Sequence, residues 1–194
     1  MSGPLPPRDL VARDLEIVDL PSGPELHRFY TAAFDPIYFD RGDGGRLNAP
    51  DGSYGVLYAA QSIRGAFAET FLRVPGRRLL PRDLLEAKAY VRLRLERPAR
   101  LAVLHGPGLA RAGATAEVTH GGRPYTVPQA WSRALRHLPV RLDGIVYRAR
   151  HDDGEICYAL FGRVALMEVE RRTVLDADWF WRVADGYGVG LSPF

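Results

Sequence analysis

Seven side chains in this sequence have the chemistry to bind an anion or to steady a developing charge: Arg28, Tyr30, Arg46, Tyr58, Glu69, Arg150 and His151. They fall on separate predicted strands, loops and one helix, as active-site residues usually do. An arginine presents a planar fork of donors that suits phosphate and carboxylate oxygens. Glu69 is the one carboxylate on the helix that closes the stretch Asp43–Arg73, where a Gly-rich turn, a short apolar strand and that helix follow one another. Such a junction at a strand's C-terminal end is where mixed α/β proteins often hold ligands.

Each residue also has a bland reading. Arg28 and Arg150 suit strand ends from which a long side chain snorkels to water. Tyr30 and Tyr58 suit an amphipathic place in a core, and Glu69 an ordinary helix surface. Other chemistries find less support. His27, His105, His120 and His137 lack the spacing of metal ligands, and the run His151-Asp152-Asp153 is explained by a polar hairpin turn. Gly42 to Gly45 makes a turn rather than a dinucleotide fingerprint, and no P-loop or G-x-S-x-G elbow occurs.

The chain has 194 residues, 46% hydrophobic and 25% charged, which is enough for one domain with a proper core. The net charge of +3 comes from 26 basic and 23 acidic groups, too small an excess to indicate nucleic-acid binding. Arginine supplies nearly all the positive charge, Lys88 being the sole lysine. The single cysteine, Cys157, excludes an intrachain disulfide and a multi-cysteine metal site. No apolar run is long enough to span a membrane, and the N-terminus lacks the pattern of a secretory signal, so a cytoplasmic protein is expected.

The elements that must position these groups can be taken in order. Residues 1–25 read as a proline-rich lead-in with one short apolar segment, Leu15 to Leu20. A first strand is expected over Leu26–Phe34, with Arg28 and Tyr30 on the same side. A long loop rich in breakers follows from Asp35 to Ser53, then an apolar strand over Tyr54–Ala60. Ser62 caps a helix with Ile63, Ala66, Phe67, Thr70 and Phe71 on one face. Glu69 lies roughly 120° from the centre of that face, pointing to water or into a cleft. Residues 87–96 alternate as a half-solvated strand, with Arg92 and Arg94 on the wet face. A strand over Arg100–Leu104 comes next, and Gly106 to Gly122 holds one short helix. Thr126-x-x-Gln129 reads as a capping box opening a scaffold helix. Asp143–Arg148 and Ile156–Arg163 are strands joined by a polar loop, one or two further strands cover Ala165–Leu175, and Trp179–Phe194 closes the chain with aromatics and glycines. No repeat or linker interrupts a single domain over 1–194.

The ordered motifs GGRLN at 44–48, VLYAAQSIRGAFAETFLR at 56–73, DGIVYRARH at 143–151 and CYALFGR at 157–163, preceded by Arg28, resemble the RES-domain family. Its members are the toxin halves of RES–Xre toxin–antitoxin pairs. The resemblance covers residues 26–165, with 166–194 as a C-terminal closure. It implies an α+β, ADP-ribosyltransferase-like fold: a mixed, largely antiparallel sheet with flanking helices and an NAD⁺ cleft. It implies a toxin that consumes NAD⁺ as substrate, as glycohydrolase, phosphorylase or ADP-ribosyl transferase, with no metal. The implied partners are an Xre-type antitoxin occluding the site and, if the acceptor is a protein, a target of ADP-ribosylation. Operator DNA would be reached only through the antitoxin. By motif position Arg28 and Arg46 match arginines at the NAD⁺ phosphates, Tyr58 a tyrosine at the nicotinamide-ribose side, and Glu69 the acidic catalytic residue. Tyr30, Arg150 and His151 join them as binding positions.

The family's serine should fall at Ala149, which supplies no hydroxyl, and Leu47 stands where an aromatic is common. The chain is therefore read either as an NAD⁺-consuming toxin, attenuated at Ala149 if that hydroxyl matters, or as a RES-fold module that binds nucleotide or antitoxin without catalysis. A third class, a small basic nucleic-acid binder, rests only on Tyr90-x-Arg92-x-Arg94.

Overall fold

The chain's alternating and helical patterns assemble into an eight-stranded sheet with helices on one face. The computed structural model describes residues 3–193; Phe194 and the first two residues of the lead-in lie outside it. In chain order the strands are β1 (Ile17–Leu20), β2 (Glu25–Thr31), β3 (Val56–Ala60), β4 (Leu79–Leu80), β5 (Lys88–Leu95), β6 (Ala99–Val103), β7 (Gly144–Ala149), β8 (Asp152–Phe161), β9 (Leu166–Arg172) and β10 (Gly190–Leu191). The helices are α1 (Ile63–Phe71), α2 (Arg82–Glu86), α3 (Pro107–Ala112), α4 (Glu117–His120), α5 (Thr126–Arg136) and α6 (Asp178–Asp185). The main sheet runs β1-β6-β7-β8-β3-β2-β5-β9, and β4 pairs with β10 separately. Only the β6–β7 pairing in the main sheet is parallel, so the sheet is mixed and mostly antiparallel.

Two cores follow from the strands' two faces. On one, Phe29, Tyr90, Ile145, Tyr147, Ala159 and Phe161 meet residues of α1, α5 and α6. The other core is built from strands and their connecting loops, and it joins Leu93 and Leu95 of β5 to Leu101 and Val103 of β6. Those strands are far apart in the sheet order, yet only residues 96–98 connect them, so the sheet must curl to bring its two halves together.

The helix expected after Ser62 forms and buries Ala66, Phe67 and Phe71 as read, but Thr70, expected on the same face, is only half-buried. The Ser62 hydroxyl accepts from the Gly65 amide at 3.1 Å and donates to Glu155. Phe67 is fully buried, 5.0 Å from Phe71, 5.5 Å from Phe180 and 5.5 Å from Tyr187 between ring centroids. The last two partners come from α6 and the turn after it, a helix that aromatic and glycine content alone did not announce.

Other expectations change. The lead-in is part of the sheet: Ile17–Leu20 forms an edge strand paired with β6, and the Pro4 carbonyl accepts from the Trp131 indole at 2.7 Å. The first strand ends at Thr31 rather than Phe34, and two short helices, not one, occupy the Gly/Ala-rich segment. The polar loop between the 143–148 and 156–163 strands shrinks to a tight turn because β8 already begins at Asp152. Arg92 is not simply solvated, since its guanidinium lies 2.7 Å from Glu25 and 2.6 Å from Glu170, with Arg94 3.3 Å from Glu25. Charges on adjacent strands pair across the sheet there.

The reading of Thr126 and Gln129 as a capping box is also corrected. Thr126 is already the first residue of α5, the flanking Tyr125 gives no side-chain cap, and Gln129 turns away from the helix end. Its side-chain amide sits 3.2 Å from both the Asp43 and the Gly45 carbonyl oxygens. One turn on, the buried Ser132 hydroxyl donates to the Leu47 carbonyl at 2.6 Å. With its only proton used there, it accepts from the Tyr54 hydroxyl at 2.8 Å. The helix read as plain scaffold thus grips the loop that carries Arg46.

Two outcomes follow. Phe67→Ala lowers the unfolding free energy by about 3–5 kcal/mol, measured as a shifted urea midpoint. Gln129→Leu leaves the midpoint within ~1 kcal/mol of wild type while amide exchange over residues 43–47 rises about tenfold through local opening.

Candidate functional site

The sheet parts between β2 and β3. These neighbours are in register at one pair, His27 with Ala60, and beyond it the position beside Val56 is taken by Asp40 of the long loop. Where the next rung would form, the Arg28 guanidinium donates to the Tyr58 carbonyl at 2.8 Å. A side chain therefore spans a gap that backbone pairing leaves open.

A cleft of about 470 Å³ occupies this parting. Its lining includes Arg28, Tyr30, Arg46, Tyr58, Glu69, Arg150 and His151, so residues that are distant in sequence converge. Arg73 and Lys88 also line it, against the carboxylates Asp40 and Glu69. Five cationic side chains facing two acids make a site suited to an anion.

Arg28 is the most constrained of these groups. Its Nε is buried and has no hydrogen-bond partner. Burial pulls its pKa down to about 10, which leaves it cationic at neutral pH. A buried donor without a partner is costly, and in native structures it calls for an explanation. Arg92, Arg94, Arg136 and Arg163 have an unpartnered buried Nε as well, so Arg28 is set apart by its place in the cleft, where an anionic ligand would supply an acceptor.

Arg46 is held by the loop, and the loop by a dense polar network. Asn48 is fully buried, donating to Asp40 at 2.8 Å and to the Gly42 carbonyl at 2.7 Å. The Tyr58 hydroxyl donates to Asn48 at 2.9 Å and accepts from the Leu47 amide at 2.8 Å. Gly45 is required here, because a Cβ would lie 2.2 Å from the Asn48 side-chain oxygen. Arg46 itself donates through Nε to the Gly121 carbonyl at 3.1 Å and lies 5.6 Å from the Tyr125 ring centroid. Burial drives the Tyr58 and Tyr147 phenols well up, so both stay protonated and neutral.

Glu69 sits on the flank of α1 that faces the cleft. Its carboxylate accepts from the Arg150 backbone amide at 2.7 Å. That bond ties the helix to the β7–β8 turn across 81 residues of sequence. His151 beside it is lowered chiefly by burial, against the opposing pull of Glu69, so it is neutral at pH 7. Cys157 also lines the cleft, but burial pushes its thiol far up and makes it a poor nucleophile.

Ala149 does not line the cleft. It is fully buried at the end of β7, one residue before the amide that holds Glu69. Ser62 and Ser132 are both engaged elsewhere, at the α1 cap and at the Leu47 carbonyl. The sequence reading missed Arg73, Lys88, Phe34, Tyr38 and Tyr125 as lining residues. Two of them carried a signal: Lys88 is the only lysine, and Arg73 ends the motif at 56–73. Among the described residues no cluster of His, Cys, Asp and Glu is placed to hold a metal ion, and no helix is long and apolar enough to cross a membrane.

Comparison with known proteins gives three findings. No curated protein matches the chain. Among solved structures, the fold is similar to a chain in the crystal structure of the M. tuberculosis MbcT–MbcA toxin–antitoxin complex. The TM-score is 0.61 at 15% identity, covering 84% of this chain and 93% of that one. The RES domain model matches residues 6–181, a span that contains the split sheet, the arginine-lined cleft and Glu69, and the chain belongs to the RES domain family.

Proposed function

We propose that this chain is a toxin that cleaves the nicotinamide–ribose bond of NAD⁺ in an ADP-ribosyltransferase-like cleft. The observation that carries the reading is the convergence of five cationic side chains, Arg28 among them, with Glu69 in one cleft. In this reading Arg28 and Arg46 take the pyrophosphate, whose paired oxygens match the guanidinium fork. Fixing the phosphates holds the nicotinamide ribose while its glycosidic bond stretches.

Cleavage expels neutral nicotinamide and leaves an oxocarbenium-like sugar. A carboxylate bonded to the ribose 2′-hydroxyl binds that state better than the ground state, because its attraction grows with the developing positive charge. Glu69 fills this role, its position set by the Arg150 amide. One carboxylate oxygen is engaged by that amide and the other is left to meet substrate. Tyr58 acts mainly through the Arg46 loop, since its hydroxyl is already used at Leu47 and Asn48. Tyr30, Arg150 and His151 complete the walls. Water, phosphate or a protein side chain then accepts the ADP-ribose.

An Xre-type antitoxin that covers the cleft is part of the proposal. The solved neighbour is a toxin–antitoxin complex, and a cleft open on one side of a curled sheet is readily blocked by a bound protein. A second reading, a nucleotide- or antitoxin-binding module without catalysis, rests on Ala149, where a hydroxyl is expected. The Arg150 amide favours the catalytic reading, because it holds Glu69 without that hydroxyl.

Three variants test these roles. Glu69→Gln slows nicotinamide release from NAD⁺ by about a hundredfold or more and leaves the thermal midpoint unchanged, as the residue lies off the packed face of α1. Arg28→Met weakens NAD⁺ binding ten- to a hundredfold, roughly the worth of lost charge-assisted bonds, and lowers the unfolding free energy by about 1–3 kcal/mol because the Tyr58 carbonyl loses its donor. Ala149→Ser, assayed beside wild type, separates the two readings. Release by both supports the toxin, release by the serine form alone marks Ala149 as the lesion, and release by neither ends the enzymatic reading.

A further inference from the structure

One feature of the cleft mouth is not used by the bond-breaking chemistry. Phe34 and Tyr38 lie on the loop after β2, stacked with ring centroids 5.3 Å apart and planes 13° from parallel. They are 57% and 41% exposed, and both line the cleft. The loop is well held: the Phe34 amide donates to the Thr31 carbonyl at 2.9 Å, and Asp35 accepts from the Ile37 amide at 2.8 Å. Ile37 and Phe39 turn inward to the strand-built core. The loop thus spends its inward residues on anchoring and presents two aromatic rings to solvent, which costs free energy unless something covers them.

The rings' neighbours indicate what that is. Lys88 and Arg73 line the same cleft, with Lys88 Nζ donating to Thr31 at 2.9 Å. Lys88 is partly desolvated and sits near Arg73 and Arg28, and both effects lower its pKa. An aromatic plate joined to a cationic trough fits a ligand with one flat ring system and an anionic chain, which is the chemistry of a nucleotide. An apolar protein segment would use the rings but leave the cations without partners.

The geometry points to Phe34 and Tyr38 as a stacking platform for the adenine base of the dinucleotide, with Lys88 and Arg73 serving the phosphate nearest the adenosine. This rests on the reading of the cleft as a dinucleotide site and assigns the adenine end of it. Base stacking is tolerant of ring identity because every base offers a π-face. The platform therefore contributes affinity for the adenine half without taking part in bond cleavage.

Calorimetric titration of the full chain with ADP and, separately, with inorganic pyrophosphate tests it. Phe34→Ala and Tyr38→Ala each weaken ADP binding by about tenfold, leave pyrophosphate binding as in wild type, and keep the wild-type melting curve. Phe34→Trp retains ADP affinity, because a ring remains. If the double alanine variant binds ADP as wild type does, or loses ADP and pyrophosphate equally, the platform is overturned while the cleft's function stands. If wild type binds no ADP, the dinucleotide reading and the platform fall together. Loss of affinity for a protein partner with ADP binding intact assigns the rings to protein docking and overturns the proposal.

Discussion

The structure depends on one interaction across an interrupted ladder, the Arg28 guanidinium donating to the Tyr58 carbonyl. A mixed sheet that must open a cleft in its own middle loses backbone bonds where it opens, and unpaired carbonyls in a partly buried place are costly. Arg28 meets that demand with one nitrogen and leaves another without a partner. The same side chain thus bridges the opening and lines the cleft that the opening creates. Closure of the parting and part of the cleft's positive charge therefore both come from Arg28.

The rest of the site is built to keep that opening a fixed shape. β7 and β8 hold one wall, and Glu69 is fastened to them by the Arg150 amide rather than by another side chain. A backbone donor at the end of a paired strand moves less than a rotamer would. On the opposite wall the Arg46 loop has no regular structure, so its backbone groups are met one by one: by Asn48 and Tyr58 from within the site, and by Gln129 and Ser132 from α5. A loop satisfied so completely behaves like an element of secondary structure and places its arginine with comparable accuracy.

The aromatic packing under α1 serves the same end. Phe67 and Phe71 press the helix onto Phe29 and Phe180, and that fixes the helix's rotation about its axis. With the packed face committed, the flank that carries Glu69 and Thr70 faces the cleft. The two exposed rings at the mouth are the exception to this economy, since Phe34 and Tyr38 pack with each other rather than with a core.

Local patterns determined a good deal by themselves. The Ser62 cap, the burial of Ala66, Phe67 and Phe71 on α1, the alternation of residues 88–95, and the exclusion of Glu69 from the packed face all follow from neighbours within a few positions and stand in the structure. Thr70, read on the packed face, instead lines the cleft. The motif order that marks the RES family was likewise legible. Tertiary structure decided whatever depends on partners far along the chain. Ile17–Leu20 is a strand only because β6 offers an edge, Arg92 is paired only because Glu25 and Glu170 arrive on adjacent strands, and Gln129 looked like a cap because nothing nearby shows the loop it holds. The cleft itself belongs to this second class. A sequence carries no local signature for two strands that part after one rung, and Arg28 and Glu69 share a cleft only because of that parting.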